Sequence, residues 1–372
     1  MAVWPSSAYR VEIMILPAGS RIAVARDSRL RSELLIDLKG TSIYTCRQGP
    51  WRTGGSSGQN HCIWENLIAM TSLAPVIAHA ARLYRGGCTF PERWDTWVPN
   101  KGDILVCTPA KCGTTWTQTI LAMLVHGGEE LPARLPVLSP WVDADLGIPA
   151  YEVAEALAAQ KGRRVVKTHT PADGFPIWEG VTVIAVYRHP LDVFFSLRNH
   201  AANRSEVGED VIFTWPVSRS IQDYINNPSH HEDIGKEGLM NLAKHYENTV
   251  LSSRLPDLKL FHYSDMVRDG RRTVQALAAA AGIDATTSVI DTVTKATAFG
   301  AMKAKAADYA PVGGTGFWKS DANFFDSASS NKWEGTLSDE ELALYRGRLE
   351  ELIPDKKARD WLEYGSASAA MA

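Results

Sequence analysis

The chain of 372 residues has no apolar run approaching 18 residues, so it offers no segment of the length that spans a bilayer. It has no excess of basic charge: 39 Lys and Arg stand against 42 Asp and Glu, a formal net charge of −3. A dedicated nucleic-acid binder carries a clear basic surplus, so that class is excluded and any anion site must be local. Cysteine is scarce. Cys46, Cys62, Cys88, Cys107 and Cys112 are five, an odd number without C-x-x-C spacing, which indicates neither a disulfide framework nor a zinc site. Free thiols, and an N-terminus without a Lys/Arg-led apolar signal, make the cytoplasm the expected location. No internal repeat is visible, and His230-His231 has no partners at metal-ligand spacing.

What the sequence does contain is a strand, a short loop and a helix around residues 103–124. Ile104 to Cys107 is an apolar strand-like run, Pro109 and Gly113 break it, and a helix is expected over 115–124. A loop feeding a helix N-terminus presents unpaired amides and the positive end of the helix dipole to an anion. Lys111, Gly113, Thr114 and Thr115 supply charge, close backbone approach and hydroxyls. The loop is not a Walker A motif, because Lys111 precedes Gly113 and no glycine stands five residues earlier.

Further strands are expected at Arg163-Arg-Val-Val-Lys, at Val181-Thr-Val-Ile-Ala-Val-Tyr and at Leu258-Lys-Leu-Phe-His. Between and after them the pattern predicts helices over 72–84, 151–160, 239–252, 271–281 and 287–296, with a capping box at Ser338–Glu341 opening the last long one. Strands alternating with helices predict an α/β fold, a single domain whose central, mostly parallel sheet is flanked by helices. Lys111, His169 and Arg188 lie just past three expected strands, where such sheets bind ligands. Residues 200–238 read as a polar, irregular loop. Residues 1–69 differ in character. They hold Arg26, Arg29 and Arg31, a Gly/Ser run at 54–58, and two apolar runs starting at Ile13 and Ser32 that are expected to pair as strands. They are read as a dispensable or poorly ordered extension preceding a domain over 70–372 that starts like an ordinary protein at Met70.

Several ordered motifs resemble the sulfotransferases that use 3′-phosphoadenosine 5′-phosphosulfate (PAPS). Pro109-Ala-Lys111-Cys112-Gly113-Thr114-Thr115-Trp116 is similar to the family's P-K-S-G-T-T-W loop, with an inserted alanine and Cys112 for serine. Arg188 and Ser196 have the spacing of the family's 3′-phosphate pair, and Lys167-Thr168-His169 resembles its K-T-H segment. Tyr263 sits in a stretch similar to Y-x-D-M, and Thr297-Ala-Phe299 resembles T-S-F-x-x-M. Ser139-Pro-Trp141 and Lys-Thr-His-Thr-Pro resemble bacterial members that sulfate glycolipids or small hydroxyl compounds.

The resemblance implies a P-loop-like phosphosulfate site, PAPS as co-substrate without a metal, and sulfuryl transfer to a hydroxyl or amine of a small-molecule or glycolipid acceptor. It implies His169 as general base, Lys111 stabilising the bridging oxygen, and Lys167 supporting the sulfuryl oxygens or leaving group. Thr114 and Thr115 would hold the 5′-phosphate, and Trp116, Thr297 and Phe299 the adenine. Trp141, Phe175, Trp178 and the 200–238 loop are candidate acceptor-pocket elements. One departure stands out. Where the family carries a basic, glycine-containing loop, alignment on Phe324-Phe325 and Trp333 places Asp326-Ser327-Ala328, leaving Lys332 or Lys319 as substitutes. The family's dimer motif is not recognisable. Two other readings stay open: a sulfotransferase-like binding module with a decayed cofactor site, and a nucleotide kinase with an unusual phosphate loop.

Overall fold

The structure, a computed structural model, describes the backbone of residues 73–206, 208–228 and 234–370 together with four earlier strands, β1 (Tyr9–Ile15), β2 (Arg21–Asp27), β3 (Ser32–Asp37) and β4 (Ile43–Arg47). Chain contacts divide it into two units, residues 1–72 and 73–372. In the first, the strands form an antiparallel sheet in chain order. The runs at Ile13 and Ser32 fall in β1 and β3, but each pairs with β2 rather than with the other. The Gly/Ser run at 54–58, Met70 and His230-His231 lie outside the described residues.

The second unit is built on β6 (Ile104–Cys107), β7 (Val165–Thr168), β9 (Thr182–Tyr187) and β10 (Lys259–His262), all parallel, in the order β10-β9-β6-β7. A separate short antiparallel pair joins β5 (Val76–Ala78) to β8 (Ile177–Trp178). The helices that matter for the site are α1 (Thr114–Val125), α2 (Ala150–Ala159), α3 (Pro190–Asn203), α4 (Val217–Asn226), α5 (Leu239–Tyr246), α6 (Tyr263–Arg268), α7 (Gly270–Ala280), α8 (Thr287–Ala296), α9 (Phe299–Ala304) and α10 (Asp339–Leu352).

Strand side chains alternate between the sheet's two faces, and both are covered. Ile104, Val106, Ile184 and Val186 pack with Ile120, Leu121 and Leu124 of α1, Leu277 of α7 and Val293 of α8. On the other face Ala185 and Tyr187 meet Phe194 of α3, Tyr224 of α4 and Tyr345 of α10, while Leu105, Cys107 and Val166 meet a tryptophan-rich cluster. Among the described residues no helix is long and apolar enough to cross a membrane.

Two expectations fail. The segment given as a helix over 72–84 is extended at β5, because Pro75 removes an amide donor and Val76 and Ala78 find strand partners in Trp178 and Ile177. Residues 200–238 are not one irregular loop. The end of α3, a 3₁₀ turn at Glu209–Thr214 and α4 occupy much of it, and α4 buries Ile221, Tyr224 and Ile225 at helical spacing.

Candidate active site

Each parallel strand delivers a side chain at its carboxyl end. β6 runs into the 108–113 loop, His169 follows β7, Arg188 follows β9, and Tyr263 follows β10. In the loop, Lys111 has φ 62° and Gly113 φ 98°. Gly113 caps α1 without a side-chain hydrogen bond, so the first helical amides stay available for an anion. A Cβ on Gly113 would stand 2.8 Å from Cδ2 of Tyr263, so only glycine lets that ring close against the loop. The Thr108 and Thr114 hydroxyls are 2.6 Å apart. Cys112 turns the other way and is fully buried in the core, which pushes its thiol up to about 12.

The Tyr263 ring carries the Arg188 guanidinium at 4.5 Å and meets Trp116 edge-on at 6.1 Å. Trp116 donates its indole N–H to the carbonyl of Thr297 at 3.0 Å, and the Thr297 hydroxyl donates to Val293 O at 2.8 Å. Phe299 opens α9 and is exposed, with Lys303 over its ring. Ser196 is half-buried on α3, two turns beyond Arg188.

Around His169 the hydrogen bonds fix a tautomer. A carbonyl only accepts, so Nδ1 donates to Thr108 O at 2.6 Å; an ammonium only donates, so Nε2 accepts from Lys167 Nζ at 3.1 Å. Trp141 stands edge-on to the imidazole at 4.5 Å and lies under Lys167 Nζ at 4.4 Å. Burial, then the Lys167 charge, holds the His169 pKa well below its ordinary value; burial lowers Lys167 to about 8. Behind them Asp143 is fully buried and accepts from the Thr168 and Thr170 hydroxyls, and burial raises its pKa to about 6. Lys111 donates to Nδ1 of His200 at 3.1 Å and lies 4.8 Å over the Phe324 ring.

Residues 101–355 match the family described as "Sulfotransferase domain". The chain belongs to the sulfotransferase family. Among its relatives, a glycolipid sulfotransferase of Mycobacterium bovis is 30% identical over 301 residues, covering 73% of this chain and 91% of the relative. One of Mycobacterium tuberculosis is 30% identical over 300 residues with the same shares. In fold the chain is similar to a mouse sulfotransferase solved with PAP (TM-score 0.55, 15% identity, 76% of this chain and 93% of that one). It is also similar to a retinol dehydratase solved with retinol and PAP (TM-score 0.56, 14% identity, 78% and 95%).

In this sulfotransferase family member the 326–332 segment lies on Arg188, whose Nη2 donates to Ser329 O at 2.9 Å. Asp326 pairs with Lys332. Lys319 is engaged elsewhere, donating to Ala202 O at 2.7 Å, so Lys332 is the cation of this segment. Phe175 and Trp178 are not at the site: they stack on each other within the core, against Trp94, and Trp97 packs on Trp178. The β5–β8 pairing turns them inward. The hollow beside His169 is lined by Pro109, Val193, Leu197 and Leu242 and, from the 200–238 stretch expected there, by Tyr224 and Glu237. The sequence reading missed His200, whose one signal is its spacing of four from Ser196, which puts both on one helical face. It also missed Asp143 and Asp192, which carried no signal beyond being carboxylates near the motifs.

Proposed function

We propose that the protein transfers a sulfuryl group from PAPS to a hydroxyl or amine of a small-molecule or glycolipid acceptor, with His169 as general base. The observation that carries this is the oriented imidazole. Its Nδ1–H is tied to the first loop residue after β6, and its basic Nε2 faces Lys167 beside the phosphate-type loop.

The residues present fit the co-substrate. Gly113 leaves the α1 amides open, and the buried Arg188 Nε lacks a hydrogen-bond partner. Trp116 is held edge-on to Tyr263 and by its N–H on Thr297 O, and its indole is of the kind on which a base stacks. When bound, PAPS supplies the activated sulfuryl group. The α1 amides, Thr114 and Thr115 hold the 5′-phosphate, Arg188 and Ser196 the 3′-phosphate, and Trp116, Thr297 and Phe299 the adenine. Lys111 and Lys167 neutralise charge that grows on the transferred group and the leaving oxygen. Lys167 then leaves Nε2 for the entering anion, and the imidazole takes the acceptor's proton through the freed lone pair. The hollow beside His169, with apolar walls and Glu237 and Asn241, marks the side from which a hydroxyl acceptor would reach the imidazole, and the glycolipid relatives favour a glycolipid as that acceptor. The free thiols of Cys88, Cys107 and Cys112 suit a reducing cytoplasm.

His169→Ala should lower sulfuryl transfer by about 10²-fold or more while calorimetric binding of 3′-phosphoadenosine 5′-phosphate stays within about twofold. Undiminished turnover in that variant rejects the mechanism.

A further inference from the structure

Resting on that reading, we infer that Asp326 is a specificity-determining residue: a built-in carboxylate that occupies the cation meant for the cofactor's 3′-phosphate and so weakens selection for that phosphate. The Arg188–Ser329 hydrogen bond sets the 326–332 segment against the guanidinium that would face the 3′-substituent. The segment's one ammonium and two of its amides are already engaged by the chain's own carboxylates. The ammonium of Lys332 is paired with Asp326. The amides of Asn331 and Lys332 donate to Asp192 at 3.1 and 3.2 Å. Asn331 reaches this arrangement with φ 61°, and Ala328 with φ 51°, so the turn holds two non-glycine residues in left-handed conformation.

Arg188 faces Asp192 at 4.0 Å and Lys332 faces Asp326, so the two nearest cations are matched by two carboxylates. A third cation, Lys303, sits at the rim and donates to the carbonyl of Asp326 at 3.4 Å. A phosphate entering here must displace Asp326 from Lys332 and then tolerate its charge nearby, and both effects act against the 3′-phosphate alone. A 3′-hydroxyl suffers no such repulsion and can donate to the carboxylate. The subsite is therefore built for weak discrimination between nucleotides with and without the 3′-phosphate. Removing the Asp326 charge should restore it.

The test is calorimetric titration of the full chain, as wild type, Asp326→Asn and Asp326→Ala, with 3′-phosphoadenosine 5′-phosphate and with adenosine 5′-phosphate. Asp326 and Lys332 are partly exposed, so the expected gain is modest. The bisphosphate should bind about threefold to tenfold more tightly to both variants, and the monophosphate should change less than about twofold. An unchanged or weaker bisphosphate affinity in both variants overturns the inference. Equal tightening for both nucleotides also overturns it, since the charge would then act on the whole site. Failure of the folded wild type and both variants to bind either nucleotide rejects the proposed function itself, and the inference with it.

Discussion

Lowering the pH from 7 to 5.5 should cost this protein roughly 2 kcal/mol of stability. His189, His245 and His262 are 5%, 3% and 2% exposed. Burial lowers all three: His189 and His245 to about 3, and His262 in the same direction. An unfolded histidine takes its proton near pH ~6.5, while in the folded chain His189 and His245 stay neutral through this interval and His262 takes its proton at a lower pH than when unfolded. Between those values the unfolded state binds more protons, so stability is full at neutral pH and falls as pH falls. His189 and His245 each contribute a loss of about 1.2 kcal/mol over this interval, roughly 2.5 kcal/mol together, and His262 adds in the same direction. Asp143 works in the opposite sense. Its folded pKa of about 6 lies above the usual carboxylate value, so acid relieves a strained charge and returns about 0.8 kcal/mol. Glu363, which faces His189 at 3.6 Å and is also raised by burial, adds to that relief. The net loss from His189, His245 and Asp143 is roughly 2 kcal/mol, an appreciable part of the ~5–15 kcal/mol typical of a folded domain. Urea unfolding followed by tryptophan fluorescence at pH 7 and 5.5 measures it. A change below about 1 kcal/mol would refute the reasoning.

Arg188→Ala should weaken binding of 3′-phosphoadenosine 5′-phosphate by about tenfold to a hundredfold, by calorimetry, and shift adenosine 5′-phosphate far less. Phe175→Ala should cost about 3–5 kcal/mol in urea unfolding, since the ring is fully buried, and leave the acceptor KM of the surviving folded enzyme unchanged. Deleting residues 1–69 should leave a soluble, fully active protein; an insoluble or inactive product contradicts their dispensability.

The sequence exposed those parts of the fold that local physics decides. Val181 to Tyr187 is too apolar and β-branched to be anything but a buried strand, and β9 spans Thr182–Tyr187. The helix expected over 287–296 is α8, and Ser338 and Glu341 form their reciprocal capping box. Parts that depend on distant partners stayed hidden. β5 is a strand because Ile177 and Trp178, a hundred residues on, pair with it. The same pairing carries Phe175 and Trp178 away from the site, though they follow His169 closely in sequence. Within 200–238, the spacing of Ile221, Tyr224 and Ile225 signalled a helix, but the polar residues around them obscured it. Motif spacing located Lys111, His169 and Arg188 in sequence, yet said nothing of what each would touch. His200 under Lys111 and Asp326 on Lys332 are facts of tertiary packing.

The order β10-β9-β6-β7 has a metric consequence. Neighbouring strands stand about 4.8 Å apart, so the four strand ends cover roughly 14 Å from first to last. Tyr263, Arg188, the 108–113 loop and His169 are therefore graduations on a ruler whose divisions are backbone hydrogen bonds. Side-chain substitution can change what is read at each mark, but not how far apart the marks stand. A ligand read by all four must match that length, while whatever approaches from beyond the His169 end is bounded only by loops, which are free to vary.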